Sequence, residues 1–253
     1  MFLLHPQNIK IDTELLNTLE EKKKKLFRYL VYERKYNNLK LFRTYLKGLL
    51  RLQDVMNIKS AQFEANSRQE AEIYTSNLAK GLDYIADEVI NNHCINSPKD
   101  IIYLHYLVDP ENHAKCNATY RKTQVQLGKL NPPEPHRLNS LIENMLFKLD
   151  EINNSILKGI YLHHEIVRIH PFTDGNGRVA RLSENWVLMF DLYPPIVISS
   201  PKDRQNYIRD LEASFLSLEN NPEENNDATT KFFNNQIKRL NNSLDYLYVR
   251  LKM

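Results

Sequence analysis

Apolar side chains recur every three or four residues along most of the chain, which is the spacing of one buried face of an α-helix. Only 6 glycines and 11 prolines interrupt the 253 residues, so long helices are favoured. Asp12 and Ser97 stand where N-cap residues are typical. The predicted helices cover residues 13–34, 39–58, 67–92, 98–108, 138–168, 178–192, 202–218 and 229–251. The pattern therefore predicts a mainly α-helical protein.

One stretch departs from the helical spacing. Residues 119–130 carry β-favouring side chains in loose alternation, Gly128 interrupts them, and the prolines at 132 and 133 end the run. This pattern predicts one β-hairpin within the helical fold.

Residues 170–181 concentrate the chemically active side chains. They read His-Pro-Phe-Thr-Asp-Gly-Asn-Gly-Arg-Val-Ala-Arg. Two glycines flank Asn176, which indicates a positive φ or the close approach of another group to the main chain. Because helical spacing resumes after Gly177, the segment predicts a loop that leads into a helix N-terminus, where unpaired N–H groups bind anions. Arg178 and Arg181 share one face of that helix and can bind one polyanion.

This segment resembles the signature of the Fic family, His-x-Phe-x-(Asp/Glu)-Gly-Asn-Gly-(Arg/Lys)-x-x-Arg, with every specified position present. Most members of that family transfer AMP from ATP to a hydroxyl of a protein side chain. The resemblance covers residues 60–215 and implies a Fic-type helical bundle with one β-hairpin, the flap. Residues 1–59 would form an N-terminal helical region and residues 216–253 a C-terminal helix.

The resemblance implies a role for each residue of the signature. His170 would be the general base that takes the proton from the attacking hydroxyl, and an ordinary histidine pKa of about 6.5 suits that role. Asp174 would hold the Mg²⁺ ion that bridges the ATP phosphates, and Arg181 would bind the γ-phosphate. The nucleotide-binding loop and its first helical turn would consist of Gly175, Asn176, Gly177, Arg178 and Arg181.

Two flanking segments also resemble parts of the Fic core. Residues 120–133 resemble the flap, whose strand edge would bind the target peptide through main-chain hydrogen bonds; the alternative is an ordinary surface hairpin. Tyr207 resembles a residue of the helix that walls the nucleotide pocket. The flap residues expected to bind the target are Thr123, Gln124, Val125, Gln126, Leu127 and Gly128.

Residues 60–66, Ser-Ala-Gln-Phe-Glu-Ala-Asn, resemble the inhibitory helix of the family, (Ser/Thr)-x-x-x-Glu-(Gly/Asn). Ser60 and Glu64 match the pattern, whereas Ala65 departs from it. The resemblance implies that Glu64 forms an ion pair with Arg181 and so occupies the guanidinium that should bind the γ-phosphate. The alternative is that Glu64 is a solvated helix residue.

Composition excludes several other classes. The 34 basic and 31 acidic residues leave a net charge of +3, too small to indicate a nucleic-acid partner. Cys94 and Cys116 show neither metal-site spacing nor a disulfide framework, which favours a reducing compartment. No secretory signal is recognised, and no stretch approaches the roughly 18 apolar residues of a membrane span. A cytoplasmic protein without a nucleic-acid or membrane partner is expected.

The sequence thus predicts an autoinhibited protein adenylyltransferase that uses ATP and Mg²⁺ and modifies a hydroxyl of a protein target. A homo-oligomer is compatible with the sequence. Three alternatives stay open: removal of AMP from a modified target, another phosphate-linked transfer by the same loop, and a non-catalytic module that binds nucleotide and a protein partner.

Overall fold

The computed structural model describes residues 3–33, 40, 44, 64–198, 200–220, 226–251 and 253. Of the predicted helix over 39–58, only residues 40 and 44 are described. The predicted inhibitory residue Ser60 lies outside the described residues. The α-helices of these described residues are α1 (Thr13–Arg28), α2 (Arg68–Ile90), α3 (Pro98–Val108), α4 (Pro110–Lys115), α5 (Leu138–Leu149), α6 (Ser155–Ile169), α7 (Asn176–Phe190), α8 (Pro201–Asn220) and α9 (Asp227–Leu251). The prediction of a mainly α-helical bundle is confirmed.

Helices α6 and α7 form the centre of the bundle. Twelve of the fifteen residues of each are buried, and α2, α3, α5 and α9 pack around the pair. Gly159 allows the two backbones to approach closely, because a Cβ there would lie 3.2 Å from the carbonyl oxygen of Glu184. The six residues between the two helices, 170–175, are therefore held by two closely packed helices.

The N-cap residues expected from the sequence are in place. The Asp12 side chain accepts hydrogen bonds from the N–H groups of Glu14 and Leu15. Ser97 accepts from the N–H of Asp100, whose carboxylate accepts from the Ser97 N–H in return. These contacts satisfy backbone donors that have no partner within a helix.

The predicted single helix over 138–168 is wrong, because α5 ends at Leu149 and α6 begins at Ser155. Asn154 caps α6, and its Oδ1 accepts from the N–H groups of Ile156 and Leu157. Ile152, in the connection, is buried, so the apolar spacing continues through a segment that is not helical. Periodicity alone therefore conceals the break.

The predicted hairpin is present only as a two-residue turn closed by one antiparallel bridge. Leu127 and Leu130 exchange both main-chain hydrogen bonds, at 3.1 and 2.9 Å, and Gly128 has a φ of +58°. The rest of 119–130 is irregular rather than paired strand. The carbonyl groups of Thr123 and Pro133 accept hydrogen bonds from a buried arginine instead of a facing strand.

The last helix, α9, packs against both terminal and central helices. It contacts α8, α1 near the N-terminus and the central helix α6. Because α8 continues to Asn220, the predicted boundary at residue 216 falls inside a helix, and the division into three regions stays a prediction. Among the helices described, none combines the length and apolarity that a membrane span requires.

Candidate active site

Two left-handed residues turn the chain between α6 and α7. His170 ends α6 with φ +52° and ψ +58°, and Gly175 precedes α7 with φ +79°. A Cβ at Gly175 would also lie 3.3 Å from the Cβ of Asp109. The glycine is therefore required both for its backbone conformation and for the close approach of Asp109.

The Asn176 side chain forms hydrogen bonds to the main chain of this loop. Its Oδ1 accepts from the N–H of Phe172 at 2.9 Å, and its Nδ2 donates to the carbonyl of the same residue at 2.8 Å. Phe172 is fully buried and stacks on the ring of His105 at 3.8 Å. The structure thus gives the Asn176 side chain a structural role, while its N–H remains part of the first turn of α7, where backbone donors are available to an anion.

His105 supports the loop from α3. Its Nε2 lies 3.2 Å from the carbonyl oxygen of Asp174, and burial lowers the pKa of His105 to about 4. A neutral imidazole with Nε2–H donating to this carbonyl holds Asp174 in place without adding charge. No local pattern in the sequence indicates this contact, because it joins residues 69 positions apart.

His170 has the tautomer that a general base needs. Its Nδ1 lies 3.1 Å from the carbonyl oxygen of Val167, and since a carbonyl only accepts, Nδ1 carries the proton. The lone pair of the neutral ring is then on Nε2. Burial lowers the pKa of His170; the Val167 contact opposes this shift, and the positive charge of Arg121 adds to it. The imidazole is accordingly kept neutral and able to accept a proton.

Arg121 connects the flap to His170 through hydrogen bonds. Its guanidinium donates to the carbonyl groups of His170 at 2.8 Å, Thr123 at 2.9 Å and Pro133 at 2.5 Å. Its own N–H donates to the carbonyl of Pro171 at 2.8 Å. The sequence placed Arg121 only within the flap pattern, because nothing local shows that a lone arginine binds the end of a helix 49 residues away.

We expect Arg121→Gln to raise the pKa of His170 towards its ordinary value of about 6.5. Removing a neighbouring positive charge favours the protonated imidazole, so the shift is upward. Arg121→Lys keeps the charge and should shift the pKa less. NMR titration of the His170 Cε1–H in the ligand-free protein measures this pKa, and Lys122→Gln, which removes an exposed adjacent charge, is the control. An unchanged titration in Arg121→Gln would show that Arg121 does not influence the base.

A cleft of about 430 Å³ opens in front of the loop. Its lining residues fall into two chemical groups. The polar group consists of Glu64, His170, Asp174, Gly177 and Arg181, and the apolar group consists of Leu130, Val167, Ile198, Ile208, Leu211 and Phe215. Tyr207, Arg204, Glu212, Leu127 and Gly128 also line the cleft. The polar group suits a phosphate chain, and the apolar group suits a planar base.

Glu64 and Arg181 form an ion pair in the lining of the cleft. Glu64 lies in a turn just before α2, and its Oε1 is 2.5 Å from Nη2 of Arg181, across 117 residues of sequence. Burial opposes the charge of Arg181, but Glu64 and Tyr207 together raise its pKa. The pair therefore occupies the guanidinium expected to bind the γ-phosphate.

Arg178 points away from Arg181 despite their shared face. Its guanidinium donates to the Val108 carbonyl at 2.9 Å, lies 3.0 Å from the Asp174 carboxylate and covers the ring of Tyr74 at 3.8 Å. It is almost completely buried. Its phosphate contact stays a prediction, and in this arrangement its guanidinium orients the carboxylate of Asp174.

Asp174 is the candidate metal ligand. Its side chain is 55% exposed and lines the cleft. Within the described residues no group of three or more His, Cys, Asp or Glu side chains could hold a metal. Mg²⁺ is usually held by one or two carboxylates with substrate phosphates and water, so a single accessible carboxylate in the cleft fits this ion.

Residues 95–188, which include His170, Asp174 and Arg181, match the model of the Fic/DOC family. The chain is 36% identical over 134 residues to the protein adenylyltransferase Fic of Nematostella vectensis, which is 51% of this chain and 31% of that protein. The chain thus spans less than a third of this curated relative's length.

Solved structures share the fold. Fic-1 (residues 134–508) from C. elegans superposes with a TM-score of 0.66 at 20% identity, covering 95% of this chain and 72% of that one. A Fic domain containing signaling protein from Bacteroides thetaiotaomicron gives a TM-score of 0.63 at 21% identity and covers 92% of each chain. The Fic-type helical bundle is therefore shared along almost the whole chain.

Proposed function

We propose that this chain is a protein adenylyltransferase that transfers AMP from ATP to a hydroxyl of a target protein. The observation that carries the proposal is the cleft in which Nε2 of a neutral His170 accompanies the N-terminus of α7 and the Arg181 guanidinium. The name of the curated relative, protein adenylyltransferase, supports the same reaction.

In the proposed reaction the hydroxyl oxygen of the target attacks the α-phosphorus of ATP. Nε2 of His170 accepts the hydroxyl proton, the bond to the β-phosphate oxygen breaks, and pyrophosphate leaves. The N–H groups at the start of α7 bind the phosphate oxygens, and Arg181 binds the γ-phosphate once Glu64 has left it. Asp174 would hold Mg²⁺, which supplies positive charge to the phosphates.

The flap offers a binding edge for the target. Gln124 donates from its side chain to the Pro132 carbonyl at 2.7 Å, and Arg121 binds the Thr123 carbonyl, so the base of the flap is fixed. Of the six flap residues expected to bind the target, Thr123, Gln124, Gln126 and Gly128 are exposed. We infer that an extended target segment pairs with main-chain groups here, beside His170.

We further propose that the Glu64–Arg181 pair inhibits the resting enzyme. The 2.5 Å contact between a carboxylate that is 19% exposed and a guanidinium that is 11% exposed supports this. ATP would have to displace Glu64 before its γ-phosphate could bind. Ser60, the other predicted residue of this segment, lies outside the described residues.

Asp174→Asn should raise the Mg²⁺ concentration needed for half-maximal AMP transfer and lower the maximal rate. The amide removes the negative charge on which Mg²⁺ binding depends. Transfer rates over a Mg²⁺ titration measure the effect. The control is Asp150→Asn at the exposed C-terminal end of α5, and identical titrations for the two variants would contradict the assignment of Asp174 as the metal ligand.

The experiment that tests the function uses purified Glu64→Gly protein, Mg²⁺ and ATP labelled at the α-phosphate or, in parallel, at the γ-phosphate. Covalent protein label from α-labelled ATP alone supports AMP transfer. Label from γ-labelled ATP would instead show phosphorylation. Nucleotide binding without covalent label would favour a non-catalytic binding module.

A further inference from the structure

Three buried side chains behind Arg181 form a hydrogen-bonded row that the proposed reaction does not use. Oε2 of Glu184 on α7 lies 2.6 Å from Nδ1 of His163 on α6, and Nε2 of His163 lies 2.8 Å from the hydroxyl of Tyr207 on α8. Tyr207 and Arg181 both line the cleft, and a side-chain hydrogen bond with Tyr207 is one cause of the raised pKa of Arg181. We call Glu184, His163 and Tyr207 the buried row; none of the three is more than 5% exposed.

A neutral His163 sets the direction of the hydrogen bonds in the buried row. Its Nδ1 then donates to the Glu184 carboxylate, and its Nε2 accepts the Tyr207 proton. Burial raises the pKa of Tyr207 to about 12, so the phenol keeps that proton. The Tyr207 oxygen is then left with lone pairs towards Arg181, which is a donor only.

Helix α9, which lies outside the signature segment, contacts the buried row at Glu184. Nε2 of Gln236 lies 3.5 Å from Oε1 of Glu184, and Oε1 of Gln236 accepts from Nη1 of Arg239 at 2.8 Å. Arg239 pairs with Asp203 of α8 at 2.7 Å. The Glu184 carboxylate is therefore held on both oxygens, as a buried charge must be.

We propose that His163 and Glu184 are positioning residues that fix the Tyr207 hydroxyl as an acceptor for Arg181, so that the guanidinium stays directed into the cleft when Glu64 leaves. This inference rests on the proposed function. An arginine side chain has large rotational freedom, and ordering it only when ATP arrives would cost binding free energy. The buried row supplies that order in advance. It assigns Tyr207 to the support of Arg181.

The test compares Glu64→Gly with Glu64→Gly/Tyr207→Phe by calorimetric titration with ATP and with ADP. We expect Tyr207→Phe to raise the Kd for ATP about tenfold, the equivalent of about 1.4 kcal/mol. The Kd for ADP should change less than twofold, because ADP lacks the phosphate that Arg181 binds. The matched control is Tyr161→Phe, which removes a buried hydroxyl on α6 that has no hydrogen-bond partner among the described residues.

An equal loss of ATP and ADP binding in Tyr207→Phe would overturn the proposal, since it would mean a merely structural role. So would an unchanged ATP Kd. Failure of the Glu64→Gly protein itself to prefer ATP over ADP would count against the proposed use of Arg181 rather than against the buried row. The ¹⁵N shifts of His163 in the ligand-free, unsubstituted protein test the row separately: Nε2 should be unprotonated, and a protonated Nε2 would overturn it.

Discussion

Glu64→Gly should increase AMP transfer by about 10- to 100-fold over the unsubstituted protein. The carboxylate of Glu64 lies 2.5 Å from Nη2 of Arg181, and its removal frees the guanidinium for the γ-phosphate. A hydrogen bond to a charged group contributes about 1.5–3 kcal/mol, which corresponds to a gain of this order in the free form of Arg181. The measurement is the initial rate of protein labelling from α-labelled ATP.

Two further variants decide whether the gain comes from the pair. Glu64→Gly/Arg181→Ala should lose the gain, since the freed residue is then absent. Glu72→Gln changes an exposed carboxylate of α2 and should leave the rate unchanged. A rate for Glu64→Gly equal to that of an already active unsubstituted protein would contradict the proposed inhibition. If the unsubstituted protein removes AMP from a modified target and Glu64→Gly does not, Glu64 serves the reverse reaction.

His170→Ala, in the Glu64→Gly background, should lower AMP transfer by about 10²- to 10⁴-fold, the usual contribution of a positioned general base. The geometry is specific: Nδ1 donates to the Val167 carbonyl, and Nε2 keeps the lone pair. ATP binding should survive, because the proposed phosphate contacts come from the start of α7 and from Arg181. Labelling rates and calorimetric ATP titrations measure the two effects.

The control for this loss is His5→Ala, which removes an exposed imidazole near the N-terminus and should leave both measurements unchanged. Equal labelling rates for the His170→Ala and unsubstituted forms of the Glu64→Gly protein would exclude His170 as the base. A loss of ATP binding together with transfer would mean that the imidazole supports the loop instead.

Rates in the Glu64→Gly protein should also rise with pH through the pKa of His170. The neutral imidazole is the active form, and burial followed by the Arg121 charge lowers that pKa. The acid limb of the profile therefore lies below the ordinary histidine range of about 6.5. Arg121 thus connects the flap, where the target is proposed to bind, with the proton acceptor.

The sequence by itself determined the helical class, most helix positions and the loop that carries His170 to Arg181. These features are local: helical periodicity, N-cap residues and a pair of glycines act over a few residues. Two sequence expectations failed for the same reason. Apolar spacing ran through Ile152 although the helix breaks there, and β-favouring residues near the flap found no facing strand because Arg121 binds the carbonyl groups.

Only the tertiary structure decided which partners each side chain contacts. Arg178 and Arg181 look alike in sequence, yet one is directed to Val108 and Asp174 and the other into the cleft. Glu64 and Arg181 meet across 117 residues, and His163 and Tyr207 across 44. Such contacts depend on how α6, α7 and α8 pack together, and a hydrogen bond between distant residues leaves no periodic trace in a single sequence.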